Sequence, residues 1–265
     1  MNGEQWTVGR LAPAGAVLLL SLILVSVAGA QGVVARRRLR LDDRAGFRAA
    51  SDPQCAPDGR SVAYVLDTID VKADKHRTHV WLADVATGLN RQMTYSPEGE
   101  SSPRWSPDGK HLAFLSDRPG PAKGTQVWLL PSVGGEARQL TGVKGEIEDY
   151  AWAPDSRRLA LVIHQPQAEA APGAPPRPIV IDRYLFREDT IGFRDDRRSF
   201  IYVFDLGSRQ LTRVTRGNFD EGHPAWSPDG TRIAYTSDHS ATPDRDETGE
   251  VFVIDVRPGA VERQL

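Results

Sequence analysis

Four times along the chain, an alternating run of apolar residues follows directly on a tight polar cluster. The runs are Ser61-Val62-Ala63-Tyr64-Val65-Leu66, His111-Leu112-Ala113-Phe114-Leu115, Arg158-Leu159-Ala160-Leu161-Val162-Ile163 and Arg232-Ile233-Ala234-Tyr235-Thr236. Period-2 apolar patterning bounded by turn residues predicts strands. The clusters ahead of them are Cys55-Ala56-Pro57-Asp58-Gly59, Trp105-Ser106-Pro107-Asp108-Gly109, Trp152-Ala153-Pro154-Asp155-Ser156 and Trp226-Ser227-Pro228-Asp229-Gly230. Proline presets φ, aspartate bonds back to local backbone and glycine accepts a positive φ, so each cluster predicts a hairpin turn. The tryptophan, or Cys55 in the first copy, falls on the strand leading in.

Each repeat then offers two more strands. The third is His79–Asp84, Gln126–Leu130, Phe200–Asp205 and Glu250–Asp255. The fourth carries its own signature: Arg91-Gln92-Met93-Thr94, Arg138-Gln139-Leu140-Thr141, Arg209-Gln210-Leu211-Thr212 and Arg263-Gln264-Leu265. Asp58, Asp108 and Asp155 recur at about 50 residues, the size of a four-stranded propeller blade. The longer stretch to Asp229 is one such unit with an insertion. The predicted fold is all-β: a β-propeller of four-stranded blades, four of them visible in an incomplete ring, with aromatics at matched positions packing blade on blade. The predicted blades are 53–97, 98–143, 144–216 with an insertion at 165–199, and 217–265, after a lead-in at 31–52.

Residues 1–30 have the pattern of a secretory signal peptide. Arg10 precedes an apolar core from Ala14 to Val27, and Ala28-Gly29-Ala30 supplies an A-x-A site, with cleavage expected after Ala30. The core is short for a membrane span, although Arg36, Arg37, Arg38 and Arg40 behind it suit the alternative of an uncleaved anchor. Either way the folded part is expected outside the cytoplasm, periplasmic or extracellular, without stable membrane insertion if cleavage occurs.

Composition narrows the chemistry. The charge is nearly balanced, 33 Lys+Arg against 35 Asp+Glu, which gives no footprint for nucleic acid. The single cysteine excludes an intrachain disulfide, and its place in a tryptophan slot predicts a buried, inert thiol. A turn accounts for Asp58, Asp108, Asp155 and Asp229; the competing reading makes them calcium ligands or catalytic carboxylates. The six histidines show no metal-ligand spacing, His223 reads as a strand or turn residue, and no G-x-S-x-G elbow or glycine-rich phosphate loop occurs. No cofactor, metal or catalytic residue is expected. The insertion divides in two: an alanine- and proline-rich excursion to Pro178, then Ile179–Asp189, which mixes apolar, aromatic and charged residues. Arginine forks suit carboxylates, so Arg183, Tyr184, Arg187 and Asp189 are candidate substrate-binding residues, against a strand extension with a solvated face.

The repeats, and above all Pro103 to Gly120 with its W-S-P-D-G turn, resemble the N-terminal propeller of prolyl oligopeptidase family serine peptidases. Ser51-Asp52-Pro53-Gln54, Gly124–Leu130 and Ile179–Arg183 are similar to the bacterial acylaminoacyl-peptidase and dipeptidyl-peptidase subgroup. The likeness runs from Leu41 to Leu265. It implies a propeller of seven or eight blades capping an α/β-hydrolase domain with a Ser-Asp-His triad, and short peptides as partners through that domain. The chain contains four blades and no triad, so no catalytic residue carries over. W-S-P-D-G alone also fits TolB-like periplasmic propellers, which gives the alternative of a stand-alone binding or interaction module.

Overall fold

A computed structural model of the chain describes residues 37–166, 178–181, 184–188, 192–194, 196–243, 245 and 249–265. The predicted signal segment lies outside them. One compact unit, Arg44–Leu265, holds all the strands, after a short 3-10 turn at Leu41–Gly46.

The strands form four antiparallel sheets of four. Blade one comprises β1 (Arg48–Cys55), β2 (Ser61–Asp70), β3 (Lys75–Asp84) and β4 (Asn90–Gln92). Blade two comprises β5 (Ser101–Trp105), β6 (His111–Ser116), β7 (Gln126–Pro131) and β8 (Arg138–Gln139). Blade three uses β9 (Glu146–Trp152) and β10 (Arg158–His164), and then the insertion contributes a separate two-stranded hairpin, β11 (Arg187–Glu188) with β12 (Gly192–Phe193). Blade three closes with β13 (Ser199–Asp205) and β14 (Leu211–Arg213). Blade four comprises β15 (Glu221–Trp226), β16 (Arg232–Ser237), β17 (Glu250–Asp255) and β18 (Arg263–Gln264). Sequential strands are neighbours in every blade, so each is a meander. The first strand starts at Arg48, inside the stretch read as a lead-in. No helix among the described residues is long and apolar enough to cross a membrane.

Side chains alternate across a strand, and here the alternation sorts them between two joints. On β6, Leu112 and Phe114 pack toward blade one with Ala63, Val80, Trp128 and Leu130. Ala113 and Leu115 face blade three and meet Leu159, Leu161 and Ile163. On β10, Ala160 and Val162 turn the other way, to Ile201, Val203, Ile233 and Tyr235 at the joint with blade four. The second strands of blades two and three, β6 and β10, are therefore buried on both faces along nearly their whole length. The second strands of blades one and four alternate in burial.

A hydroxyl clasp recurs behind the fourth strands of blades one, two and three. Thr94 Oγ1 accepts from Val80 N (2.9 Å), Thr141 Oγ1 from Val127 N (3.0 Å) and Thr215 Oγ1 from Ile201 N (2.9 Å). All three threonines are buried. Blade three corrects the sequence alignment: the clasp is Thr215, not Thr212. β14 pairs Arg213 with Tyr202 as Gln92 pairs with Trp81. Arg209 takes the left-handed position (φ 58) that Gly88 takes in blade one (φ 70). The resemblance of Arg209-Gln210-Leu211-Thr212 to the true signature is a coincidence of residue type displaced along the strand.

Candidate functional site

The first strands of successive blades lie together, and each is irregular. β1, β5 and β15 are bulged opposite their partners. The kink falls on Asp52, Ser102 and His223, whose φ values are 49, 51 and 50. Each is followed by proline, which has no N–H to give a ladder and is at home in a bulge. The kink is a left-handed conformation that costs free energy for a residue with a Cβ. β9 lacks the proline, and its bulged residue is Glu148. Bulges re-aim side chains; here they surround a cleft of about 390 Å³ lined by Gln54, Arg104, Asp149, Trp152 and His223.

Charges in and beside the cleft are arranged across blades. Arg104 Nη1 donates to Asp52 Oδ2 at 2.7 Å, joining blade two to blade one, and Gln54 Nε2 steadies Asp52 Oδ1 at 2.9 Å. Tyr150 is buried and donates its hydroxyl to Ser102 O at 2.8 Å; burial holds its ionisation well above the ordinary phenol range. It is a hydrogen-bonding wall and not a base. Asp149 Oδ1 accepts from Tyr150 N at 2.7 Å, and His223 Nδ1 lies 3.1 Å from Thr236 Oγ1. Such a lining of one cation, one carboxylate, an imidazole and two indoles can hold a polar, peptide-like ligand. The Cys55 thiol lines it too, with no base hydrogen-bonded to the thiol among the described residues.

The repeated turns stand apart from that chemistry. Asp58, Asp108, Asp155 and Asp229 each accept a backbone N–H two residues on, at 2.8–3.1 Å. Asp229 is held at about 2, chiefly by the Ser227 hydroxyl and then by Thr231. Gly59, Gly109 and Gly230 supply the left-handed residue after them, and Ser156 supplies it in blade three. The motif tryptophans reach back one blade. Trp105 Nε1 donates to Gln54 O, Trp152 Nε1 to Arg104 O and Trp226 Nε1 to Ala151 O, at 3.2–3.3 Å. Cys55 occupies the corresponding place in blade one, with no earlier blade beside it among the described residues. The expectation of a buried thiol fails there: Cys55 is exposed.

Of the candidate substrate-binding residues, Arg183 and Asp189 lie outside the described residues. Tyr184 is exposed, with the Arg245 guanidinium 5.6 Å from its ring; Arg187 sits 5.7 Å from the Phe193 ring, which stacks on Phe186. Neither lines the cleft between the first strands. At the root of the insertion, Ser199 Oγ donates to Glu148 Oε2 (2.6 Å) and lies 3.1 Å from His164 Nδ1. The serine is buried and its proton is directed to the carboxylate, so this trio ties the insertion to β9 and is no activated nucleophile. Sequence reasoning missed Arg104, Asp149 and the kinked Asp52 and Ser102. Their signal was the proline in the first strand five residues ahead of the turn aspartate in three repeats, Pro53, Pro103 and Pro224.

No protein-family model matches the chain. The uncharacterized peptidase YuxL of Bacillus subtilis is 26% identical over 225 residues, which is 83% of this chain and 34% of that protein. The acylaminoacyl peptidase of Pyrococcus horikoshii superposes with a TM-score of 0.63 at 22% identity, over 83% of this chain and 32% of the other. The chain matches a peptidase's propeller portion. It spans about a third of the length of those relatives, and the sequence itself contains no catalytic elbow. A TolB from Agrobacterium tumefaciens shares the fold too, with a TM-score of 0.54 at 18% identity over 81% of this chain and 64% of that one.

Proposed function

We propose that the chain is the substrate-gating propeller of an exported serine peptidase acting on short peptides, with hydrolysis carried out by a Ser-Asp-His hydrolase domain outside these 265 residues. The cleft among the four first strands carries the reading. Its polar lining comes from every blade and offers hydrogen-bonding groups suited to peptide backbone. The match to peptidase propellers over 83% of the chain supports the same conclusion. Residues 1–30 would direct export, with the mature chain starting at Gln31.

Titration of the chain with N-acylated tri- and tetrapeptides, followed by tryptophan fluorescence, tests the cleft. Trp152 should report binding, and Arg104→Ala should weaken it several-fold while the melting temperature identifies any loss of fold. Folded chain that binds no short peptide would remove the reading. The likeness to TolB favours a second one, a stand-alone interaction propeller, for which a folded protein and not a short peptide would be the ligand.

A further inference from the structure

Glu100 and Glu221 occupy the same place, just ahead of or at the start of their blade's first strand, and both are buried. Each reaches back to the threonine clasp of the preceding blade. Thr94 Oγ1 donates to Glu100 Oε2 at 2.7 Å; the Thr215 hydroxyl and Ile201 N donate to Glu221, the latter at 3.3 Å. The carboxylates differ in what neutralises them. Arg118 pairs with Glu100 while lying over the Phe114 and Trp128 rings at 5.0 and 4.9 Å, and His79 Nδ1 adds a contact at 2.8 Å. In blade four the matching residue is His239. Its ring stops between Phe219 and Phe252, at 3.9 and 4.1 Å, and makes no bond to Glu221. Glu221 Oε1 and His239 Nε2 are buried with no hydrogen-bond partner among the described residues.

We propose that the joint between blades three and four is a pH-sensitive hinge, closed when Glu221 is protonated and loosened when it ionises, while the joint between blades one and two stays locked. The groups around Glu221 set the direction. Arg213 on β14 favours its charge, and Glu262 ahead of β18 opposes it. Tyr235 on β16 gives its hydroxyl to Glu262 (2.9 Å), and His239 lies 4.0 Å from Glu262, so a charge on that imidazole is spent there. Asp238 Oδ2, in the same loop, is a further buried oxygen with no partner among the described residues. Burial dominates and pushes the Glu221 carboxyl up to about 7. A raised carboxyl stabilises the closed joint below its ordinary value of 4.5, and that stability is lost as pH climbs through 7. The hinge has a load. Asp220, next in the chain, accepts from Ser199 N (3.1 Å) and Arg198 Nη1 (3.0 Å), which anchors the root of the insertion. Loosening the joint therefore releases that root.

Hydrogen–deuterium exchange of the full chain at pH 5.5, 7 and 8.5, corrected for intrinsic rates, reads both joints at once. Protection over 199–226 should fall on the order of tenfold or more across that range, and protection over 75–105, where Arg118 stays paired with Glu100 throughout, should fall less. Glu221→Gln should remove the pH response. His239→Arg, which restores the cation found in blade two, should reduce it and serves if the glutamine variant fails to fold. Equal responses in the two windows, a response that survives Glu221→Gln, or an unchanged response in His239→Arg would overturn the hinge.

Discussion

The joint between blades one and two and the joint between blades three and four use one backbone design with the groups around the carboxylate exchanged, Phe200 standing where His79 does and His239 where Arg118 does. Ser116-Asp117-Arg118 becomes Ser237-Asp238-His239, and the buried carboxylate that arginine neutralises in the first is left half-satisfied in the second. The middle joint solves the problem by avoiding charge. Ile147 replaces the glutamate, and the Gln126 amide closes the clasp through Thr141 Oγ1 and Val143 N at 2.9 and 3.1 Å. Three joints of one ring wall are therefore locked by an ion pair, locked by a neutral amide, and left conditional. A repeat fold keeps its geometry through the backbone and the apolar faces. The polar pin is free to vary, and that variation decides where the wall yields.

The largest effect should come from Arg118→Ala. Removing one partner of a buried pair leaves an uncompensated charge, a loss of about 3–5 kcal/mol. The Glu100 side chain has no exposure and Arg118 little, but His79, Thr94 and Ser96 N still contact the carboxylate, so the loss should lie near the bottom of that range, with a lower midpoint in chemical denaturation. His239→Ala removes no ion pair to Glu221 and should cost less, through ring packing and the contact with Glu262 at 4.0 Å. Equal losses would show that the two joints are held in the same way.

Exchanging the residues should exchange the behaviour. Arg118→His replaces the permanent cation with a second imidazole beside Glu100, where His79 Nδ1 already lies at 2.8 Å. A histidine whose proton the carboxylate favours stabilises fully below about 6.5 and loses that contribution as pH rises through its folded value. The variant should melt lower at pH 8 than at pH 6, by more than the native chain does. At the acid end the sign reverses. Asp229, depressed from 3.8 to about 2, contributes above 3.8 and loses its contribution as pH falls toward 2. Thermal melts between pH 2 and 9 should therefore fall at both ends.

The blades were legible in the sequence because the periodicity and the turn chemistry repeat together and each is local. The joints were legible only in part. Matching Arg118 to His239 needs just the alignment of Ser-Asp pairs after β6 and β16. That Glu100 and Glu221 stand beside them is a contact between residues about twenty apart, and no period encodes it. The cleft was hidden for a related reason: Arg104, Asp149 and His223 meet only when three blades are stacked. Cys55 misled because burial of the tryptophan slot depends on the preceding blade, which the residue's own repeat does not contain. A thiol reagent should label Cys55 in the folded chain, and protection until unfolding would contradict its exposure.

The smallest effect concerns the neutral joint. Ser156 takes the left-handed place that glycine fills in the other three turns, at φ 57 against 67–70. Its hydroxyl also accepts from Asp108 N of blade two at 3.0 Å, a bond between turns of adjacent blades. The strain costs about 1 kcal/mol, and an exposed hydrogen bond returns about 1 kcal/mol or less. Ser156→Ala keeps the strain and loses the bond, so it should lower stability by about 1 kcal/mol. Ser156→Gly loses both, and its melting temperature should stay within about 2 °C of the native value, since 1 kcal/mol is worth roughly 2–4 °C in a chain of this size. If glycine proves clearly stabilising, the bond between the turns contributes nothing, and the neutral joint rests on Gln126 and its apolar face alone.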